Sequence, residues 1–152
     1  VVGPSVAASL RGSGWAEVAA LVSSLDAGID SVTAPAGGRA SAEFRADGSL
    51  QLVVRAGTAL DEVVLRSYCI GAAHMALGIV RREGVAVDDE GVPLDLTIRS
   101  FGILRSDEMP HVDVTIAAEE TEPVAASDAV FAAVLAAAWR EEGFPGDLPA
   151  RG

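Results

Sequence analysis

Few side chains in this chain of 152 residues have chemistry to offer, and most of them stand alone. The acids Glu119, Glu120 and Glu122 cluster between an alternating stretch and an alanine-rich one. A carboxylate placed there is a candidate general base, although a charged loop at such a position is ordinarily just solvated. His74 and His111 are isolated, and two histidines without a carboxylate partner fit structural roles better than a zinc site. No metal site is expected. Cys69 falls on an apolar stripe, where a free cysteine behaves as a small buried hydrophobe. Gly12-Ser13-Gly14 precedes a helix, but no strand comes before it and neither a third glycine nor a lysine follows. It reads as a turn and helix start, not a phosphate loop. No serine stands in a nucleophile-elbow pattern.

Absences narrow the chemistry further. There is no lysine, which excludes Schiff-base catalysis and a Walker-type phosphate site. All 11 basic residues are arginine, against 22 acidic ones. The resulting net charge of −11 opposes nucleic acid and anionic membrane surfaces. The single cysteine excludes an internal disulfide and any multi-cysteine metal or iron–sulfur site, and it fits a reducing cytoplasm. No uninterrupted apolar run approaches the roughly 20 residues of a bilayer span, and no secretory signal opens the chain. A cytoplasmic protein that binds neither nucleic acid nor membrane is expected.

The elements that must position these residues can be read from periodicity. "GWAEVAALVSSLDAG" predicts a short helix ending near Gly28, with Trp15, Val18, Leu21 and Val22 inward. "APAGGRAS" is a connector, and two β-compatible runs then flank Asp47-Gly48, a hairpin signal. Residues 61–82 form the strongest helix pattern, with Leu65, Cys69, Ala72, Ala76 and Ile79 on one face. Asp61 and Glu62 begin it and Arg81 and Arg82 end it, in accord with the helix dipole. Gly71, Ala72, Ala73, Ala76 and Gly78 give that helix a small-faced surface that another backbone or a flat ligand could approach closely. After Gly84, two strands are expected around the turn Asp88-Asp89-Glu90-Gly91, and a third over 112–116. Ser127 is the expected N-cap of a last helix, with Phe131, Val134, Leu135 and Trp139 on one face and Gly143 at its end. The order predicts an α+β fold, a mostly antiparallel sheet with two or three helices packed on it.

The stretch from about Ser41 to Trp139 resembles the C-terminal part of the molybdenum-cofactor-binding subunit of the xanthine dehydrogenase, aldehyde oxidase and carbon monoxide dehydrogenase family. "SYCIGAAHMALG" stands where that family has a "GQ-[VI]-EGG-x-x-x-G-[LI]-G" helix. "DDEGVPLDLTIRSFGILRSDEMPHVDV" stands where it has a "DEG" turn followed by a strand ending in "DYKIPTA-x-DMP-x-x-x-V". Phe101, Ile103, the turn from Asp107 to Pro110 and the alternating strand fall in register. Two departures are visible. Ser67 and Tyr68 replace the glycine–glutamine pair, and Glu122-Pro123 stands without the glycines of the family's "G-x-GE-P" segment, on a much shorter loop.

The resemblance implies a fold like part of the second molybdopterin-binding domain, spanning 41–142 within a single domain of 1–152. Residues 1–40 are unassigned, and 143–152 form a tail. It implies a small subunit or domain of a molybdopterin-dependent oxidoreductase that is not active as this chain alone. The molybdenum cofactor would lie between this chain and a larger molybdopterin-binding subunit, with flavin and iron–sulfur subunits as further partners. Tyr68, Gly71 and Ala72 would approach the cofactor, and Glu122 would be the candidate base. The alternative is a non-catalytic relative, a structural or interaction module working as a homodimer. An unrelated small-molecule binder is the third reading, kept open by residues 1–40.

Overall fold

In the computed structural model, residues 16, 19–26, 31–95 and 97–150 are described. Four strands, β1 (Val32–Thr33), β2 (Arg39–Phe44), β3 (Leu50–Arg55) and β4 (Val112–Ile116), form one sheet in chain order. Two long helices, α1 (Glu62–Arg81) and α2 (Ser127–Glu141), pack against each other, with α2 over β2 and α1 reaching β4. Residues 19–25 are also helical, and Arg140 of α2 donates to the Ser23 carbonyl at 2.8 Å. The fold is α+β, as expected.

Strand alternation decides which side of the sheet is buried. Leu50, Leu52 and Val54 of β3 are fully buried, and the register sets Ala42 and Ala40 of β2 and Val114 of β4 beside them on the same face. Burying each such leucine or valine contributes roughly 1.5–3 kcal/mol. Arg39, Glu43, Gln51, Arg55 and Asp113 occupy the alternate positions, so the opposite face is polar. The expected hairpin forms at Asp47-Gly48: the Asp47 carboxylate accepts from the Ser49 N–H at 2.9 Å, and Gly48 takes a φ of +81°.

One strand departs from the antiparallel pattern. β4 runs parallel to β3, because α1 carries the chain back along the sheet before β4 begins beside Leu50. The two strands expected around Asp88–Gly91 do not form. Asp88 accepts from the N–H groups of Glu90 and Val92 at 3.1 and 2.8 Å, and the flanks meet only in an isolated Val87–Pro93 bridge. Pro93 has no N–H to extend a ladder, and Val85, Val87, Val92 and Leu94 stay exposed with no sheet to cover them.

Helix α1 matches its expected bounds. Asp61 is its N-cap and accepts from the Val63 and Val64 N–H groups at 2.8 and 3.1 Å. Its buried side is Cys69, Ala72, Ala73, Ala76, Leu77 and Val80, with Leu65 and Ile79 at the margin. Although no membrane-length segment was expected, α1 has the length and mean hydropathy, 1.6, of a crossing helix. Its packed side nonetheless belongs to the core.

The last helix starts one residue earlier than a Ser127 cap requires. Ala126 holds the N-cap position without a side-chain bond, and Ser127 lies inside the helix. Its core face is mostly alanine, Ala129, Ala132, Ala133 and Ala136 beside Val130 and Val134, while Phe131, Leu135 and Trp139 pack at the edge. The Trp139 indole donates to the Pro145 carbonyl at 3.0 Å and meets Phe144 edge-on with ring centroids 5.3 Å apart. In the first helical segment the expected inward residues Leu21 and Val22 are about half exposed, whereas Ala16, Ala20, Ser23 and Ser24 are buried. Small side chains let this segment lie close to the domain. Trp15, Val18, Gly28 and the Gly12-Ser13-Gly14 turn lie outside the described residues.

Candidate functional site

The segment after β4 is tied to the sheet by one carboxylate. Glu119 accepts from Arg39 at 2.9 Å, from Arg55 at 3.5 Å and from the Gly57 N–H at 3.3 Å, while its own carbonyl accepts from the Thr58 hydroxyl at 3.1 Å. Desolvation alone would raise the Glu119 carboxyl. The Gly57 N–H and the guanidinium groups of Arg39 and Arg55 outweigh it and hold the group below its ordinary range. Two backbone bonds continue the seam, from Thr58 N–H to the Thr121 carbonyl at 2.9 Å and from Val124 N–H to the Ala56 carbonyl at 3.0 Å. Gly57, with φ +68°, packs so tightly that a Cβ there would strike the Glu122 carbonyl.

This seam places Glu122 beside the start of α1, with its own side chain exposed to solvent. The anchored acid is therefore Glu119, which sequence reading grouped with its solvated neighbours. Its arginine partners lie 80 and 64 residues away, so no local pattern marks it.

Between the seam and α1 lies a groove of about 360 Å³, bounded by Leu60, Asp61, Val64 and Tyr68 on one side and by Pro123 to Ser127 on the other. The structure thus brings Tyr68 to the segment that follows Glu122. Tyr68 is 65% exposed, and Gly71 is exposed one turn further along the same helix. Ala72 is not on this surface: it is buried in the core cluster. A second hollow of about 560 Å³ opens at the other end of the exposed face, between His74 and Met75 of α1 and Val85, Ile98, Phe101 and Ile103 of the long connection. His74 is held there by its Nε2 donating to the Leu104 carbonyl at 2.8 Å. His111 is exposed at the entry to β4, and its carbonyl accepts from the Leu50 N–H at 2.9 Å.

The remaining titratable candidate is the thiol. Cys69 is buried on α1, and desolvation pushes it up to about 11 against a small opposing pull from Arg66. A thiol so raised is protonated at neutral pH and unsuited to nucleophilic work.

No protein-family model and no curated protein matches the sequence. Among solved structures, the chain is similar to quinoline 2-oxidoreductase from Pseudomonas putida 86, with a TM-score of 0.51 and 17% identity over 70% of this chain. The two share a fold. The likeness spans 16% of the quinoline 2-oxidoreductase chain, so this protein corresponds to one segment of that enzyme's length. Its extent in this chain is comparable to that of the sequence resemblance from Ser41 to Trp139.

The side chains around the groove do not by themselves hold a molybdenum cofactor. Among the described residues no three His, Cys, Asp or Glu side chains cluster as metal ligands. The groove's charged lining is Asp61, there is no lysine for a phosphate, and Arg66 donates to the Val114 carbonyl at the edge of the sheet. What this surface offers a cofactor is an apolar wall of close approach.

Proposed function

We propose that this chain is one part of a cytoplasmic molybdopterin-dependent oxidoreductase of the xanthine dehydrogenase kind. It lays the exposed face of α1 along the cofactor site and docks to a larger molybdopterin-binding subunit that supplies the groups holding the cofactor. The observation that carries this reading is the open side of α1. A helix that only closed its own domain would turn a polar face to solvent, yet Val63 is 79%, Tyr68 65% and Met75 54% exposed. The sequence resemblance to the molybdenum hydroxylases and the likeness of fold to quinoline 2-oxidoreductase support the same kind of enzyme. In this reading Tyr68 and Gly71 face the cofactor, Ala72 forms the layer beneath them, and Glu122 is the candidate base, shielded from water by the partner.

The test is molybdenum and pterin content after gentle, untagged co-purification from the native cell, with the co-eluting proteins identified. Stoichiometric metal and pterin with a larger subunit is the expected result. A second reading, a non-catalytic interaction module, is favoured by the Ser67-Tyr68 pair and by the solvent around Glu122. A metal-free chain eluting alone as a defined oligomer would select it.

A further inference from the structure

We propose that β4 accepts a fifth strand: an extended segment of a different protein, apolar at alternate positions, lying between the free edge of β4 and the adjacent flank of α1. The inference rests on the reading that this chain docks to a larger protein, and adds where and by which bonds that protein attaches. Among the described residues β4 ends the sheet, with β3 on one side and no strand on the other. Its parallel ladder opens with the Leu50 N–H on the His111 carbonyl and closes with the Ala117 N–H on the Val54 carbonyl. Asp113 and Thr115 therefore bond toward β3, and the N–H and C=O groups of Val112, Val114 and Ile116 point away from the sheet. Of these six groups only the Val114 carbonyl has a partner among the described residues, the Arg66 side chain. No proline or bulge interrupts Val112–Ile116, whereas the opposite edge, β1, is kept to two residues.

The helix layer points to the same occupant. Arg66 reaches the edge of β4 from α1, and Val63 and Ile70 stand one turn to either side of it, both exposed. At roughly 100° per residue, Ile70 is turned roughly 100° from Gly71 and 160° from Tyr68, so this flank is separate from the surface given to the cofactor. A strand laid beside β4 bonds the outward groups of Val112, Val114 and Ile116 through its own main chain, taking over the Val114 carbonyl from Arg66. Every second side chain of that strand then falls on the inner face, beside Val114 and toward Val63 and Ile70, which is why it must be apolar there. A second copy fits poorly. Two β4 edges paired antiparallel about Val114 would bring both Arg66 side chains to the same two carbonyls and set −11 against −11. The copy's own α1 would also stand on the same face, in the space beside Val63 and Ile70 that the incoming side chains need.

The test is amide hydrogen exchange read by NMR on the full, isotope-labelled chain, alone and bound to the protein that co-purifies with it from the native cell. Alone, the Val112, Val114 and Ile116 amides should exchange about tenfold or more faster than those of Asp113 and Thr115, and in the complex they should slow about a hundredfold or more. Val112→Pro removes an N–H that the sheet itself does not use, so the chain should fold as before while the complex weakens about tenfold or more, against little change for Val112→Ala. If Val112→Pro does not fold, the exchange pattern decides alone. Edge amides already protected in the isolated chain, a partner bound without slowing them, protection by a second copy, no partner at all, or equal binding by the two variants overturns the inference. Slowed edge amides in a complex without molybdenum and pterin uphold the fifth strand and overturn the oxidoreductase reading. A complex that carries both while the edge still exchanges freely does the reverse.

Discussion

Cys69 shows most plainly what burial does to a single group. Its ordinary thiol value of 9.0 rises to about 11 in the folded chain, so the unfolded protein ionises first as pH climbs. The stability this contributes is complete below pH 9 and is lost as pH approaches 11. Because the chain has no lysine, the alkaline range is unusually free of other titrating side chains. The urea midpoint is therefore expected to fall between pH 9 and 10.5, and Cys69→Ala should remove most of that slope. The native thiol should also resist a thiol-reactive dye that labels it after denaturation. Glu119 has the opposite sign. Its carboxyl is held below the ordinary value of 4.5, so its contribution is present above that pH and lost as acid protonates it. Glu119→Gln should lower the melting temperature at pH 7 and flatten its decline below pH 5. An unchanged acid limb would show that the three-way seam through Arg39, Arg55 and Gly57 does not hold the loop.

Among the elements, two glycines divide cleanly by their surroundings. Gly71 is an exposed interior residue of α1 with open space around it, so Gly71→Ala should stabilise the chain by about 1 kcal/mol in urea unfolding. Gly57 has φ +68° and no room beside the Glu122 carbonyl, so Gly57→Ala should destabilise it by more than that amount. The sequence was most legible where the determinants are local. Asp61 capping α1, the hydrophobic period of 61–82 and the Asp47-Gly48 turn all act within a few residues. It was least legible where the outcome depends on distant partners. β4 pairs parallel because of where α1 returns the chain, and Val85–Leu94 stays irregular for want of a neighbouring strand. Leu21, Val22, Phe131 and Trp139 carry the periodic signal, but alanines take the closest contacts. Of the candidate site, the exposed placement of Tyr68 and Gly71 could be anticipated from the helix pattern. The anchoring role of Glu119 could not, since it exists only once β2, β3 and the loop after β4 meet.

For the whole molecule, charge and apolar surface oppose each other. Leu60, Val63, Tyr68, Ile98 and other large hydrophobic residues are exposed on a chain that carries −11 at neutral pH. Apolar surface of this extent drives self-association unless something opposes it, and here repulsion between like-charged copies does so. That balance should shift with pH in a definite direction, because the charge vanishes near the sequence pI of about 4.4. The isolated chain is expected to scatter light as a monomer at pH 7 and low salt, and to associate as pH is brought toward 4.4. Adding salt at pH 7 screens the same repulsion and should move it part of the way. The variant Met75→Glu, on the exposed face of α1, should delay association at both, since it adds charge where the copies would meet. If Met75→Glu has no effect while the chain still associates, contact is made elsewhere, and the open face of α1 is not the surface whose covering governs the state of this protein.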